Sequence, residues 1–222
     1  MKHENINTII AMLGLILGGY STYKQYKPEA DKLELAVKTD QIGGTELELN
    51  KDSFIAKKLY GDDTRIAGPA SITLELSNNM SRPVTIKNIE IKLIKDGSTF
   101  YYSSMFNPLD KETLDNLHSP TTIEEHSVKK IKLRINVPIH YNDKFSSCFR
   151  SIKKNKAKDD QYNNVSFCYY KKGADLLGNK VELKQFDGGA YMAESSGGVS
   201  LNYRVTVITG DNSKIVGLAT FD

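Results

Sequence analysis

Residues 71–94 read SITLELSNNMSRPVTIKNIEIKLI, and this stretch decides the fold. Ile72, Leu74 and Leu76 alternate with Thr73, Glu75 and Ser77. That period of two marks a half-buried strand, because successive side chains point to opposite faces. Val84 and Ile86 resume the habit, and Ile89, Ile91 and Leu93 continue it on the other parity. A one-residue slip would turn the second half of the strand inside out, so a bulge or bend is expected near Asn88. NNMSRP between the two runs and KDGS after the second are turn compositions.

The same pattern extends in both directions. Leu33, Leu35 and Val37 alternate with Glu34 and Ala36, and Leu47 and Leu49 with Glu46 and Glu48. In VKKIKLRINV, Ile131, Leu133, Ile135 and Val137 face one way and Lys130, Lys132, Arg134 and Asn136 the other. VSFCYY (165–170), KVELKQF (180–186), VSLNYRVTVI (199–208) and KIVGLATF (214–221) complete the strand candidates, with Gly210-Asp211-Asn212 as the loop of a closing hairpin. Leu74, Leu76, Ile91, Leu93, Leu133, Ile135 and Val205 are the expected inward-facing core. Helical pattern is scarce. DKETLDNL (110–117) suits two turns, and Tyr141, Phe145, Cys148, Phe149 and Ile152 fall on one helical face. Eight or more short strands separated by turns indicate an all-β sandwich or barrel.

Ahead of this domain, residues 9–20 read IIAMLGLILGGY, and no charge lies between Glu4 and Lys24. The apolar stretch is near the lower limit for crossing a bilayer as a helix. Tyr20, Tyr23 and Tyr26, interleaved with Lys24 and Lys27, suit the headgroup border, and Pro28 stops the helix. A cleaved signal peptide would want a more basic start than Lys2 offset by Glu4, and the strictly apolar run is also short enough for a core helix. A retained span is expected through Ile9–Tyr20, with 1–28 as anchor and juxtamembrane segment. The β domain then occupies 29–222, with a short helical and basic insertion near 141–160. Lys24, Lys27 and Lys32 outnumber the positive groups before the span, so the positive-inside rule puts the large domain in the cytoplasm of a single-pass cell-membrane protein. Cys148 and Cys168 are then expected to stay reduced, as small buried hydrophobes, and a disulfide between them would require the domain to lie outside the cytoplasm.

ITLELSNNMSRPVTIKNIEIKLIKDG, a Pro-containing loop and then SVKKIKLRINVP resemble the central strands of immunoglobulin-like or fibronectin type III-like β-sandwiches. The layout as a whole is similar to uncharacterised bacterial single-span membrane proteins that carry such a domain after a short helix. The resemblance implies a domain that binds or spaces rather than catalyses.

Chemistry is hard to find in the chain. His3, His118, His126 and His140 lack the paired spacing of metal ligands. No Gly-x-Ser-x-Gly elbow, phosphate loop or calcium loop is present, and two cysteines are too few for a four-cysteine zinc site. Neither catalytic residues nor a cofactor are expected. A net charge of +3, from 30 basic and 27 acidic residues, argues against nucleic acid as the partner. The one charge feature above background is RSIKKNKAK, where Arg150, Lys153, Lys154, Lys156 and Lys158 could contact an anionic lipid surface, against the plainer reading of a solvated loop. The expected function is a membrane-tethered, non-catalytic β-sandwich that binds a protein partner by a strand edge or loops. The alternative is a ligand-binding or enzymatic domain whose site is assembled from loops.

Overall fold

Alternating apolar residues lay down two antiparallel sheets in the computed structural model, which describes residues 12–23, 30–42, 48–50, 54–96, 98–101, 111–154, 161–196 and 198–221. The chain divides into two units, Met1–Asp31 and Lys32–Asp222. In the first, residues 12–23 form helix α1, on which Leu13, Leu15, Ile16 and Leu17 are exposed. No described helix is long and apolar enough to cross a membrane. The expected span begins at Ile9, and Ile9–Ala11 lie outside the described residues.

The second unit is mostly β. One sheet has β3 (Thr64–Asn78) at its centre, with β7 (Ser127–His140) along one side and β1 (Glu34–Ile42) and β2 (Glu48–Asn50) along the other. The second sheet runs β11 (Lys214–Phe221), β10 (Leu201–Thr209), β4 (Val84–Lys95), with β5 (Ser98–Tyr101) and β6 (Thr121–Ile123) also pairing with β4. Ile72, Leu74 and Leu133 of the first sheet and Leu93, Tyr203, Val205 and Val207 of the second are fully buried in one core. All seven residues expected inward are there, while Lys132 on the opposite face of β7 is exposed. Burying each such side chain contributes roughly 2 kcal/mol, so the period-two pattern is what drives the sheets together.

Two irregularities keep the pattern in phase. Ile208 pairs with Asn88 but Thr209 with Ile86, so β4 carries an extra residue where the parity slips, and Ile86 and Ile89 are both buried. Gly68-Pro69 makes a second offset, between Ala67 and Ala70 of β3.

Two helices differ from the sequence reading. Helix α2 (Phe54–Tyr60) was not expected. Helices α3 (Lys111–His118) and α4 (Asp143–Lys154) match the expected positions. VSFCYY, expected as a strand, lies instead in helix α5 (Gln161–Tyr170). Its β-branched and aromatic residues favour strands locally, but Val165 and Tyr169, one helical turn apart, are both fully buried. Burial of that i, i+4 pair outweighs local preference.

The two ends of the sandwich differ. Glu34 pairs with Ser77, next to the Asn78–Ser127 pair, so the chain joins the sandwich where β7 begins. This end is closed by fully buried Asn78, whose amide donates to the carbonyls of Arg82, Ile123 and Glu124 and whose Oδ1 accepts from the Met80 amide. Helix α4 starts just past His140, at the other end of the 14-residue strand β7. The two ends are therefore roughly 40 Å apart.

Candidate interaction surface

Asn142 caps α4, its Oδ1 accepting from the Phe145 amide at 3.0 Å. Phe145 and Cys148 of α4 point into the core, with Phe149 and Ile152 partly buried beside them. Phe145 meets Tyr169 of α5 edge-on, the ring centroids 5.5 Å apart. Cys148 and Cys168 are joined in a disulfide, their Cα atoms 5.8 Å apart. The strand expected at VSFCYY is what this corrects: with that segment helical, Cys168 turns toward α4 instead of alternating within a strand, and the pair takes the disulfide form rather than the reduced one. Burial holds the phenols of Tyr169 and Tyr170 above their usual pKa range, the Asp175 carboxylate adding to the effect.

After α5 the chain is gathered by one buried carboxylate. Asp175 Oδ1 accepts from the amides of Leu177 and Asn179 at 2.9 and 2.8 Å, and its Oδ2 from Asn179 Nδ2 at 2.9 Å. Asn179 in turn holds Val199, accepting from its amide at 2.6 Å and donating to its carbonyl at 2.9 Å. Ser195 Oγ adds a longer contact to Asp175 Oδ2 at 3.5 Å, so the two side chains form a clasp that ties 175–179 to Ser195 and Val199. Leu176 is fixed to the sandwich by the His140 amide, which donates to its carbonyl at 2.8 Å.

Between the two arms of the clasp stands a ribbon of β8 (Val181–Gln185) and β9 (Tyr191–Ser195). Its turn uses Gly188 and Gly189, both at positive φ. Every residue of β9 is exposed. The bonds Phe186 N–H to Ala190 O and Ser196 N–H to Lys180 O fix the ladder phase. By antiparallel alternation Met192 and Glu194 bond to β8, so Tyr191, Ala193 and Ser195 present their backbone groups outward. Phe186, Tyr191 and Met192 add exposed apolar surface. On the outer face, Lys184 Nζ lies 2.6 Å from Glu194 Oε2, a bond that raises the lysine's pKa. The inner side is seated by Phe167 of α5, whose ring meets Tyr191 at 5.2 Å, with Lys171 Nζ 4.3 Å from the Phe167 ring.

The edges of the main sheets are treated differently. Thr39 Oγ1 of β1 donates to the Thr220 carbonyl of β11 at 2.9 Å, bringing the edge of one sheet against the edge of the other. Along β7, Asn116 of α3 donates to the Lys132 carbonyl at 3.0 Å, and Thr113 bonds the main chain of Arg134. A helix covers that edge.

Of the basic residues singled out in the sequence, Arg150 is exposed on α4 and folds back onto its own helix, donating to the carbonyl and hydroxyl of Ser146 at 3.2 and 3.3 Å. Lys153 and Lys154 are in the last turn of α4, and Lys156 and Lys158 lie outside the described residues. Of the histidines, His118 Nδ1 lies 3.3 Å from Asn88 Oδ1, and His126 has positive φ in a turn. No cluster able to hold a metal ion occurs among the described residues.

The clasp and β9 were missed in the sequence. The signal for the ribbon was present: KVELKQF, then Asp187-Gly188-Gly189, then AYMAES has the composition of a hairpin.

No family model matches the chain, and no curated protein matches it. Among solved structures it is similar to the crystal structure of a protein from Archaeoglobus fulgidus, at 9% identity and a TM-score of 0.30, over 86% of this chain and 96% of that one. It is also similar to the solution structure of a putative late embryogenesis abundant protein, at 13% identity and a TM-score of 0.25, over 98% of this chain and 82% of that one.

Proposed function

We propose that this chain is a membrane-tethered, non-catalytic β-sandwich that binds a protein partner by strand addition to β9. The observation that carries the reading is the exposed β9 edge on a ribbon held firmly at its base. A partner segment laid along Tyr191–Ser195 would gain main-chain hydrogen bonds from the outward groups, while the apolar rim of Phe186, Tyr191 and Met192 would supply buried area. The covered edge of β7 and the close approach of β1 to β11 support the choice of β9 over those strands.

In this reading Ile9–Tyr20 anchors the chain at the membrane, and the exposed leucines of α1 support an apolar environment for that segment. Tethering raises the effective concentration at a partner in the same membrane. The two-sheet core supports an immunoglobulin-like layout, with α4, α5 and the ribbon as an addition at one end. The basic residues of α4 lie at the end of the sandwich away from Leu33, where the chain joins it. The exposed β9 edge, rather than these residues, is the feature that favours a protein partner over anionic lipid.

The test replaces Ala193 with Pro in the full-length chain. Proline removes the outward amide of residue 193 without touching the bonds to β8. With a photo-crosslinking residue at position 192, the parent protein should give a discrete crosslinked partner in intact cells, and Ala193→Pro should lose it while keeping the same melting temperature. Undiminished crosslinking by the proline variant would sink the proposal.

A further inference from the structure

The only two cysteines of the chain sit where their bond bears on the ribbon. Cys168 lies between Phe167, which seats Tyr191 of β9, and Tyr169, which packs fully buried against Phe145 of α4. Cys148 is itself almost fully buried on the same face of α4 as Phe145. The disulfide thus locks the part of α5 that carries the ribbon's seat onto the row of aromatic residues that anchors α4 in the core. Among the described side chains of α5, Val165 and Tyr169 are the fully buried apolar ones, and the disulfide adds a covalent link to their packing.

From this arrangement we infer that the Cys148–Cys168 disulfide is a redox-dependent pin for the β8–β9 ribbon, formed in an oxidising compartment where the sandwich resides. The inference rests on the reading of β9 as the docking edge and adds its regulation. Formation of the pin is thiol–disulfide exchange. The thiolate of one cysteine attacks the disulfide of an oxidised thiol–disulfide carrier, and the second cysteine displaces the carrier from the mixed disulfide. The two protein thiols give up two electrons and two protons, and the carrier disulfide becomes two thiols. In a compartment rich in reduced thiols the exchange runs backward, and α5 with its Phe167 is released from α4.

This puts the domain on the side opposite to that favoured by Lys24, Lys27 and Lys32. The lysine bias amounts to a margin of one or two charges in the residues flanking the span, and a few charges are enough to flip a topology. The thiol state instead follows the redox poise of the whole compartment. A disulfide that is partly buried between two helices therefore outweighs the charge count.

Two measurements on the full-length protein test the inference. Cells are quenched in acid and alkylated without reduction, and the peptides are analysed by mass spectrometry. The expected product is a linked peptide pair containing Cys148 and Cys168; alkylated free thiols at both positions would overturn the compartment assignment. Hydrogen exchange is then followed with and without a reductant, and in the C148S/C168S variant. Amides of 161–170 and 181–196 should exchange at least tenfold faster once the bond is gone, with those of β3 and β7 unchanged. Ribbon exchange that ignores the bond would overturn the pin. Exchange is read with no partner present, so failure of the pin and failure of the docking edge, which Ala193→Pro reports, are separate results.

Discussion

Thr113 on α3 makes a reciprocal pair of hydrogen bonds with the main chain of Arg134 on β7: its Oγ1 donates to the carbonyl at 3.1 Å and accepts from the amide at 2.8 Å. The hydroxyl, fully buried, thus imitates the backbone of a neighbouring strand at one point of the β7 edge. Replacing it with valine keeps the shape and leaves both groups of Arg134 without their partner. A buried donor or acceptor left unmatched costs about 1–3 kcal/mol. Thr113→Val should therefore lower the unfolding free energy by that amount, measured by urea denaturation, and expose β7 to pairing with other chains, seen as aggregation on mild heating. A variant as stable and as soluble as the parent would show that α3 is only draped on the edge.

The register of β7 gives a paired prediction. Leu133 is fully buried and pairs with Ile72, while Lys132 beside it is exposed. Leu133→Ala should destabilise the domain by about 2–5 kcal/mol through lost burial and the cavity left behind. Lys132→Ala should change stability by less than about 0.5 kcal/mol. Chemical denaturation of both variants decides the matter, and similar costs for the two would mean that neither face is a true interior.

What could be read from the sequence follows from where the faces of an element differ. Strands β3, β4, β7 and β10 each have one wet and one dry face, so Leu74, Ile91, Leu133 and Val205 announce themselves by period. The bulge near Asn88 was legible for the same reason, since Ile86 and Ile89 cannot both be buried in an unbroken strand. Helix α5 hid because Val165, Phe167, Cys168, Tyr169 and Tyr170 crowd apolar character around the whole circumference, leaving composition to mislead. The ribbon hid for the opposite reason. Its β9 strand is exposed on both faces, so no alternation distinguishes Tyr191 from Met192. The clasp of Asp175 and Asn179 is made of bonds within an irregular loop, for which no spacing rule exists.

Glu75 lies on the outer face of β3 between two lysines of the flanking strands. Lys38 of β1 donates to its carboxylate at 3.0 Å, and Lys130 of β7 stands 4.0 Å away. The hydrogen bond from Lys38, and then the charges of both lysines, hold the carboxyl below its usual pKa range. A depressed folded-state pKa gives stability that is present above the unfolded pKa, about 4.3 for glutamate. It is lost as pH falls through the lower folded value. The group is exposed, so the effect is small and shrinks with added salt. A carbon-detected NMR titration should find the Glu75 midpoint below that of a free glutamate, and Lys38→Ala should move it back upward. An unchanged midpoint in the lysine variant would show that the pair does not form in solution.

The seam between the sheets depends on a missing side chain. Gly217 of β11 pairs with Val205 and faces β1, where a Cβ would run into Val37 Cγ2 and stand 3.0 Å from Leu35 Cδ2. Glycine is needed here for close approach, since its backbone is not at a positive φ. Gly217→Ala should push β1 outward, lengthen the bond from Thr39 to Thr220, and destabilise the domain by about 1–3 kcal/mol through overpacking. If the obstacle is Val37, shortening it should make room for the added methyl. The double variant Gly217→Ala, Val37→Ala should then be more stable than the sum of the two single changes allows, by about 0.5 kcal/mol or more. Measured by denaturant unfolding of all four proteins, strict additivity would mean that the two residues do not touch. In that case the seam would be held by Thr39 and the core beneath it, and Gly217 would be tolerated for some reason other than the approach of β1.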